Sequence, residues 1–167
     1  MMIKDTRGQI AAASALLVTI MILVAGALVD VYRLQEARDW AYRAAEAAAV
    51  TGSVTGRDLS TIYTIGQPRL DPGAGYAGAQ QTIEAEIAQR GVAGAMYQIE
   101  VSEWGGTEIA GFPPVPRADL WGAGTWQTTE PAVGVYVEMP VTTFLLGLTH
   151  QGIVTVHAFA AAGVNMP

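Results

Sequence analysis

The longest apolar stretch of the chain runs from Ile10 to Val29 and contains no charged residue. As a helix with a rise of about 1.5 Å per residue, a stretch of about 20 residues crosses the hydrocarbon core of a bilayer. Helical composition then continues without a turn residue until Gly52, which predicts the end of the helix. We therefore predict one long helix over residues 9–52, with a membrane span or filament core at 10–29 and an amphipathic extension at 30–52.

A cleaved secretory signal is the alternative interpretation of this stretch. The sequence Ala25-Gly26-Ala27 imitates the small-residue pattern at which such signals are cut. However, the apolar core of a secretory signal is only about 7–15 residues long, and here the helical pattern continues beyond the apolar stretch. These two features favour an uncleaved anchor.

Small residues give the predicted helix two kinds of smooth surface. Within the span, small side chains let the backbones of two helices approach closely, which predicts helix–helix packing at Ala11, Ala12, Ala15 and Gly26. In the extension, alanines recur at three- and four-residue steps and form one face, at Ala37, Ala41, Ala44, Ala45 and Ala48. We expect this alanine face to support helix packing and to cover one side of a sheet. The alternative for the span is that its alanines simply fill a generic anchor.

Beyond the helix, alternating apolar and polar positions predict a small α+β domain over residues 53–167. Strands are predicted at 59–65, 96–104, 132–141 and 152–164, a helix at 77–89, and a single helical turn at TTFLLGL. Prolines and glycines predict loops at 67–76 and 105–130. The domain is then an antiparallel sheet of three or four strands, with one or two short helices.

Charge sets the expected orientation of the span. Lys4, Arg7 and the amino terminus precede it, so residues 1–8 are predicted to stay in the cytoplasm as a short leader and the domain to lie outside the cell. The chain carries a formal net charge of −6, and an acidic domain gives no support for binding nucleic acid. Cysteine is absent from the sequence, which excludes disulfides and thiolate chemistry.

The sequence contains no pattern that points to catalysis. His150 and His157 have no cysteine or carboxylate cluster beside them in sequence, so a metal site is not expected. Glu84 and Glu86 are two residues apart on the predicted helix and do not face each other. Motifs for phosphate binding or for a nucleophilic serine are absent. We therefore predict no enzyme activity, no metal and no cofactor.

Asp30 and Arg33 lie one helical turn apart where the apolar stretch ends. One interpretation is an ion pair between helices of an assembled fibre, where burial would require pairing. The other is that both residues lie at headgroup level and mark the end of a membrane span.

Aromatic residues are concentrated in and beside the glycine- and proline-rich segment 105–130, at Trp104, Phe112, Trp121 and Trp126. One interpretation is an exposed aromatic patch that contacts a glycan, a surface or another subunit. The favoured interpretation is that the tryptophans hold a long loop against the sheet.

Three motifs, in order along the chain, resemble one family. They are R-G-Q directly before the apolar stretch, D-V-Y-R-L-Q-E-A-R and A-A-E-A-A-A-V-T-G after it, and V-Y-V-E-M-P-V-T-T-F-L-L-G-L…V-T-V-H-A-F-A near the carboxyl end. The chain resembles the TadE/TadG-like proteins of tight-adherence (Flp-type) pilus systems, which are similar to type IV pilins in layout. The resemblance covers both ends of the chain and leaves residues 53–131 unassigned.

The resemblance implies a bacterial structural subunit of a cell-surface pilus. Such a subunit is inserted in the cytoplasmic membrane and then polymerises with copies of itself through its N-terminal helix, with other pilus-assembly proteins as partners. The alternative is a membrane-anchored minor pilin or an adhesion module that accompanies assembly without forming the fibre.

Processing of the leader is the last question that the resemblance raises. Type IV-type pilins are generally cut after a glycine that ends a short positive leader, and a glutamate five residues later is typical. Gly8 and Gln9 match the cutting site, but Ala13 stands in place of the glutamate. We therefore expect the leader to be retained.

Overall fold

The computed structural model describes residues 6–114, 124–148 and 152–164 of the chain. Its elements are, in chain order, α1 (Thr6–Thr55), β1 (Arg57–Asp58), α2 (Ser60–Ile65), β2 (Arg69–Leu70), α3 (Pro72–Arg90), β3 (Met96–Ser102), β4 (Glu108–Ala110), β5 (Thr125–Gln127), β6 (Ala132–Thr142), α4 (Leu145–Leu148) and β7 (Ile153–Gly163). The chain is an α+β protein, as predicted: a long N-terminal helix precedes small antiparallel sheets and short helices.

The chain divides into two compact units. The first comprises Met1–Glu36 and Val141–Val154, and the second comprises Ala37–Pro140 and Thr155–Pro167. Helix α1 contributes its first part to one unit and its second part to the other. The boundary falls directly before Ala37, the first residue of the predicted alanine face.

The alanine face of α1 is part of the core of the second unit. All five predicted alanines are at most 2% exposed: Ala37, Ala41, Ala44, Ala45 and Ala48. Trp40 and Ala49 are buried beside them, at 9% and 0% exposure. The three- and four-residue spacing therefore predicted the buried side of the helix correctly.

Helix α1 does not end at Gly52, and this part of the prediction is wrong. The helix continues to Thr55, and Gly52 is buried against α3 instead. A Cβ added at Gly52 would lie 2.7 Å from the carbonyl oxygen of Gly75 and 2.9 Å from the Cβ of Ala79. The glycine is needed because the two helices approach each other closely, not because the chain turns there.

The predicted strand at 59–65 is wrong, because Ser60–Ile65 form helix α2. Asp58 precedes the helix, and its Oδ1 accepts hydrogen bonds from the amide (2.9 Å) and the hydroxyl (2.6 Å) of Ser60. Gly66 ends the helix with a φ of 71°, a conformation that glycine adopts without strain. The turn that Asp58 forms with Ser60 and the C-cap at Gly66 favour the helix over the strand propensity of the β-branched residues between them.

Helix α3 begins five residues earlier than predicted, inside the segment assigned to a loop. Asp71 caps it by accepting a hydrogen bond from the amide of Ala74 at 2.8 Å, and Pro72 occupies the first turn. Gly75, which suggested a loop, and Gly78, inside the predicted helix, are both buried where α3 approaches α1. The segment 105–130 likewise contains a short pair of strands, β4 and β5.

The main sheet has three strands in the order β3-β6-β7, and all three were predicted. Strand β3 is antiparallel to β6, and Ile99 stands opposite Val135. Residues 132–137 of β6 are all buried, as expected for a central strand that is covered on both faces. The predicted helical turn at TTFLLGL is α4.

A side-chain network joins α3 to β3. The hydroxyl of Tyr97 donates to Glu84 Oε1 at 2.6 Å, and the amide of Gln80 donates to the same oxygen at 2.9 Å. These two hydrogen bonds stabilise the ionised carboxylate and lower the pKa of Glu84 below its ordinary value. Glu86 is not part of this network.

We expect Gly52→Ala to lower the free energy of unfolding by about 2 kcal/mol, because overpacking against the α3 backbone outweighs the gain in helix propensity. Gly73→Ala is the matched control, since the only atom near its added Cβ is a side-chain oxygen of Asp71 at 3.3 Å. Thermal unfolding of the full chain in detergent, followed by circular dichroism, measures both. Equal stability of G52A and the parent chain would contradict the close α1–α3 contact.

The lowered pKa of Glu84 predicts a pH-dependent contribution to stability. The contribution is present above the ordinary pKa of 4.5 and is lost as the pH falls through the folded-state pKa. Tyr97→Phe removes the main hydrogen bond, so we expect Y97F to be less stable than the parent at pH 7 and the difference to narrow in acid. Tyr63→Phe, at a side chain that is 90% exposed, is the control. A pH-independent difference would show that Tyr97 acts only through packing.

Candidate functional site

The first part of α1 has an apolar surface that the described chain does not cover. Every residue from Gly8 to Ala25 is exposed, including large side chains such as Ile10 (66%), Leu16 (63%) and Met21 (63%). Among the described residues, α1 is the one helix that is long and apolar enough to cross a membrane, judged by length and composition alone. This surface requires a non-aqueous environment or a partner.

Asp30 is buried where the apolar stretch ends, at 3% exposure. Its carboxylate accepts three backbone hydrogen bonds, from the amides of Phe144 (2.5 Å), Leu145 (2.7 Å) and Leu146 (3.2 Å). These amides lie at the start of the short helix α4, where the amides of a helix need acceptors from outside it. Asp30 therefore serves as an N-terminal cap contributed from a distant part of the chain.

Gly26 lies one helical turn before Asp30, on the same face of α1. A Cβ added at Gly26 would lie 2.7 Å from Leu145 Cδ1 and 3.2 Å from Phe144 Cδ1. We call Thr143–Leu148 the tip, because it forms the turn after β6; the amide of Thr143 also donates to the carbonyl of Gly152 at 3.1 Å. Gly26 provides the space for the tip, and Asp30 holds it by hydrogen bonds.

The small residues predicted to pack against other helices fall into three environments. Ala11, Ala12 and Ala15 are exposed, so they remain available to a second helix. Gly26 is covered by the tip of its own chain. The remaining four, at most 2% exposed, are enclosed in the second unit and cannot meet another copy while it is folded: Ala37, Ala41, Ala44 and Ala48.

The predicted ion pair of Asp30 and Arg33 stays a prediction for an assembled fibre. In the single chain the Asp30 carboxylate is already engaged by the tip, which the sequence reasoning missed. The pattern D-x-x-R pointed to Arg33 on the same helix, whereas the first hydrogen-bond donor to Asp30 is the amide of Phe144, 114 residues away.

The aromatic residues do not form one exposed patch. Phe112 and Trp126 are buried, at 3% and 6% exposure, and pack edge-to-face with each other and with Phe159. Trp104 is 43% exposed, and the Arg69 guanidinium lies 5.3 Å from its ring centroid. Trp121 lies outside the described residues. The interpretation that tryptophans hold the loop against the sheet agrees with the burial of Trp126, and Phe112 is buried in the same cluster with Ala132 and Tyr136 of β6.

One hydrogen-bonded cluster includes His157, whose Nδ1 lies 2.7 Å from the hydroxyl of Tyr136. That hydroxyl also donates to Glu138 Oε1 at 2.7 Å. Burial and the Glu138 carboxylate raise the pKa of Tyr136. Within the described ranges no group of three or more potential ligand side chains could hold a metal; His150 lies outside them.

Comparison with family models, with curated proteins and with solved structures finds no match to this chain. The features of this chain that bear on its function are therefore the exposed apolar surface of α1 and the tip that Asp30 binds where the apolar stretch ends.

Replacing Asp30 by alanine removes the acceptor of three amide protons. We expect the amides of the tip to exchange at least about tenfold faster in D30A, because a donor that loses a buried acceptor loses its protection. Hydrogen–deuterium exchange with mass spectrometry of the full chain in detergent measures the rate.

Two further variants make this experiment specific. Asp30→Asn keeps an acceptor oxygen and should retain part of the protection, whereas Asp39→Asn changes an exposed carboxylate of the same helix and should change nothing. Unaltered exchange of the tip in D30A would refute the role of Asp30.

Proposed function

We propose that this chain is a structural subunit of a bacterial cell-surface pilus, in which the apolar part of α1 forms the fibre core. Before assembly the same surface would anchor the subunit in the cytoplasmic membrane, with the N-terminus inside. The observation that carries the proposal is the contrast along one helix: residues 8–25 are exposed throughout, whereas the alanine face from Ala37 onward is buried.

Burial of the exposed apolar side chains would supply the driving force for insertion and assembly. Eleven large apolar residues between Ile10 and Val29 are between 46% and 66% exposed. Covering the remaining surface of each contributes about 1 kcal/mol, so the whole surface contributes on the order of 10 kcal/mol. A membrane and a bundle of like helices can both provide this cover, which supports a subunit that passes from one to the other.

The small residues near the start of α1 suggest how the helices would meet in a fibre. Ala11, Ala12 and Ala15 are exposed, and small side chains allow backbones to approach where lipid removes the usual hydrophobic gain. The ordered motifs that resemble TadE/TadG-like proteins point to the same assembly.

A membrane-anchored minor pilin or adhesion module is the second candidate. The observation that favours it is Ala13, which stands where a processed pilin typically has a glutamate. A subunit that keeps its leader has no new amino terminus in the core for a glutamate to neutralise, and could remain in the membrane.

Microscopy of sheared surface material tests the two candidates. We expect regular filaments that contain this chain as the main component, and we expect Ala12→Leu to reduce filament yield at least tenfold, because the larger side chain keeps the helix backbones apart. Leu17→Met is the matched control, because it keeps apolarity and volume at a neighbouring exposed position. The amount of each variant in the membrane fraction should not change.

Detection of the chain only in the membrane fraction would favour the anchored module. The intact mass of the mature protein gives an independent answer on processing: a chain that starts at Gln9 has been cut after Gly8, and the retained leader would then be a wrong prediction.

A further inference from the structure

The surface of the tip is apolar although its backbone is polar and hydrogen-bonded. Phe144 is 59% exposed, Leu146 is 37% exposed, and Ile153, just beyond the tip, is 66% exposed. The segment Val141–Val154 contains no Asp, Glu, Lys or Arg. Three large apolar side chains exposed within one short uncharged segment are unusual for a surface that faces water.

The position of the tip along α1 is fixed by its contacts within the first unit. Phe144 and Leu145 contact Gly26, which lies inside the apolar stretch, three residues before its last member Val29. The amides of the tip are held by Asp30, the first residue after the stretch. The tip is therefore level with the last turn of the stretch, over roughly 6 Å of the helix axis.

The polar groups at this level are suited to the border of a bilayer. The carboxylate of Asp30 accepts hydrogen bonds from the amides at the start of α4. Both groups can therefore lie in an apolar environment without the cost of an unpaired polar group. Tyr32 follows two residues later and is 67% exposed, and Arg33 comes next. Amphipathic aromatic and basic side chains are typical of the membrane–water interface.

We propose that the tip is a second membrane-contacting element of this chain. The exposed side chains of Phe144 and Leu146, together with Ile153 just beyond the tip, enter the lipid interface on the side where α1 leaves the bilayer, and Asp30 holds the tip at that depth. The inference rests on the proposed membrane span: if residues 10–29 occupy the hydrocarbon core, a segment packed on Gly26 must lie at its border. The occupant is lipid, because the surface of the tip continues the apolar surface of the span at the same depth.

Single-cysteine labelling tests this in the full chain, which contains no native cysteine. Phe144→Cys and Ile153→Cys report on the tip, Ile20→Cys reports on the middle of the span, and Gln35→Cys reports on α1 roughly 13 Å beyond Gly26. Each variant is labelled with an environment-sensitive fluorophore and reconstituted into phosphatidylcholine vesicles. Quenching is compared between lipids with a shallow nitroxide, lipids with a deep nitroxide, and aqueous iodide.

The proposal predicts a distinct order of quenching depth. Labels at 144 and 153 should be quenched at least twofold more by the shallow nitroxide than by the deep one or by iodide. The label at 20 should respond to the deep nitroxide, and the label at 35 to iodide. Deep quenching at 20 with iodide quenching at 144 and 153 would overturn the inference and leave the span intact. Iodide quenching at 20 would overturn the span, and the inference with it.

Two additional measurements separate lipid contact from contact between copies. Diluting the protein in lipid should leave the shallow quenching at 144 unchanged; quenching that rises as copies separate would assign the tip to a second chain and overturn the inference. Adding D30A to the F144C variant should reduce the shallow quenching, whereas adding D39N should not.

Discussion

One unbroken helix of 50 residues carries two surfaces with opposite requirements. Its first part presents large apolar side chains that the described chain leaves exposed, and its second part presents alanines that the second unit buries completely. The helical backbone is the same along its whole length, so the change of environment depends on the side chains alone. The change occurs between Gly26 and Ala37, within three turns, and the tip is bound in the same interval.

Asp30 resolves a conflict that arises in this interval. A carboxylate at the end of an apolar stretch is costly if it is buried alone, and the amides at the start of α4 are costly if they face an apolar surface. The hydrogen bonds between the carboxylate and the amides offset both costs. The pairing also explains why Gly26 is small: a side chain there would push the tip away from the carboxylate that stabilises it.

The sequence predicted those features whose cause is local. Strands β3, β6 and β7 follow from alternation, and the alanine face of α1 follows from helical spacing. Gly52 was misread as the end of a helix and Gly75 as part of a loop, because a glycine that allows close helix packing looks in sequence like one that ends a helix or belongs to a turn. Helix α2 was misread because its β-branched residues favour a strand, whereas the Asp58–Ser60 turn before it and the C-cap at Gly66 favour a helix. The partner of Asp30 was beyond local reasoning, since the contact joins residues 114 apart.

The alanine face has a consequence for how this chain can diverge. Its alanine side chains are already the smallest that still favour a helix. Close by, helix α3 contacts the backbone of α1 at Gly52. Substitutions there can only exchange glycine, alanine and serine, whereas the exposed apolar part of α1 can exchange leucine, isoleucine, valine and methionine freely. The buried alanines from Ala37 to Ala48 therefore tolerate only a change of small side chain, whereas the large apolar positions of the first part tolerate any apolar side chain of similar size.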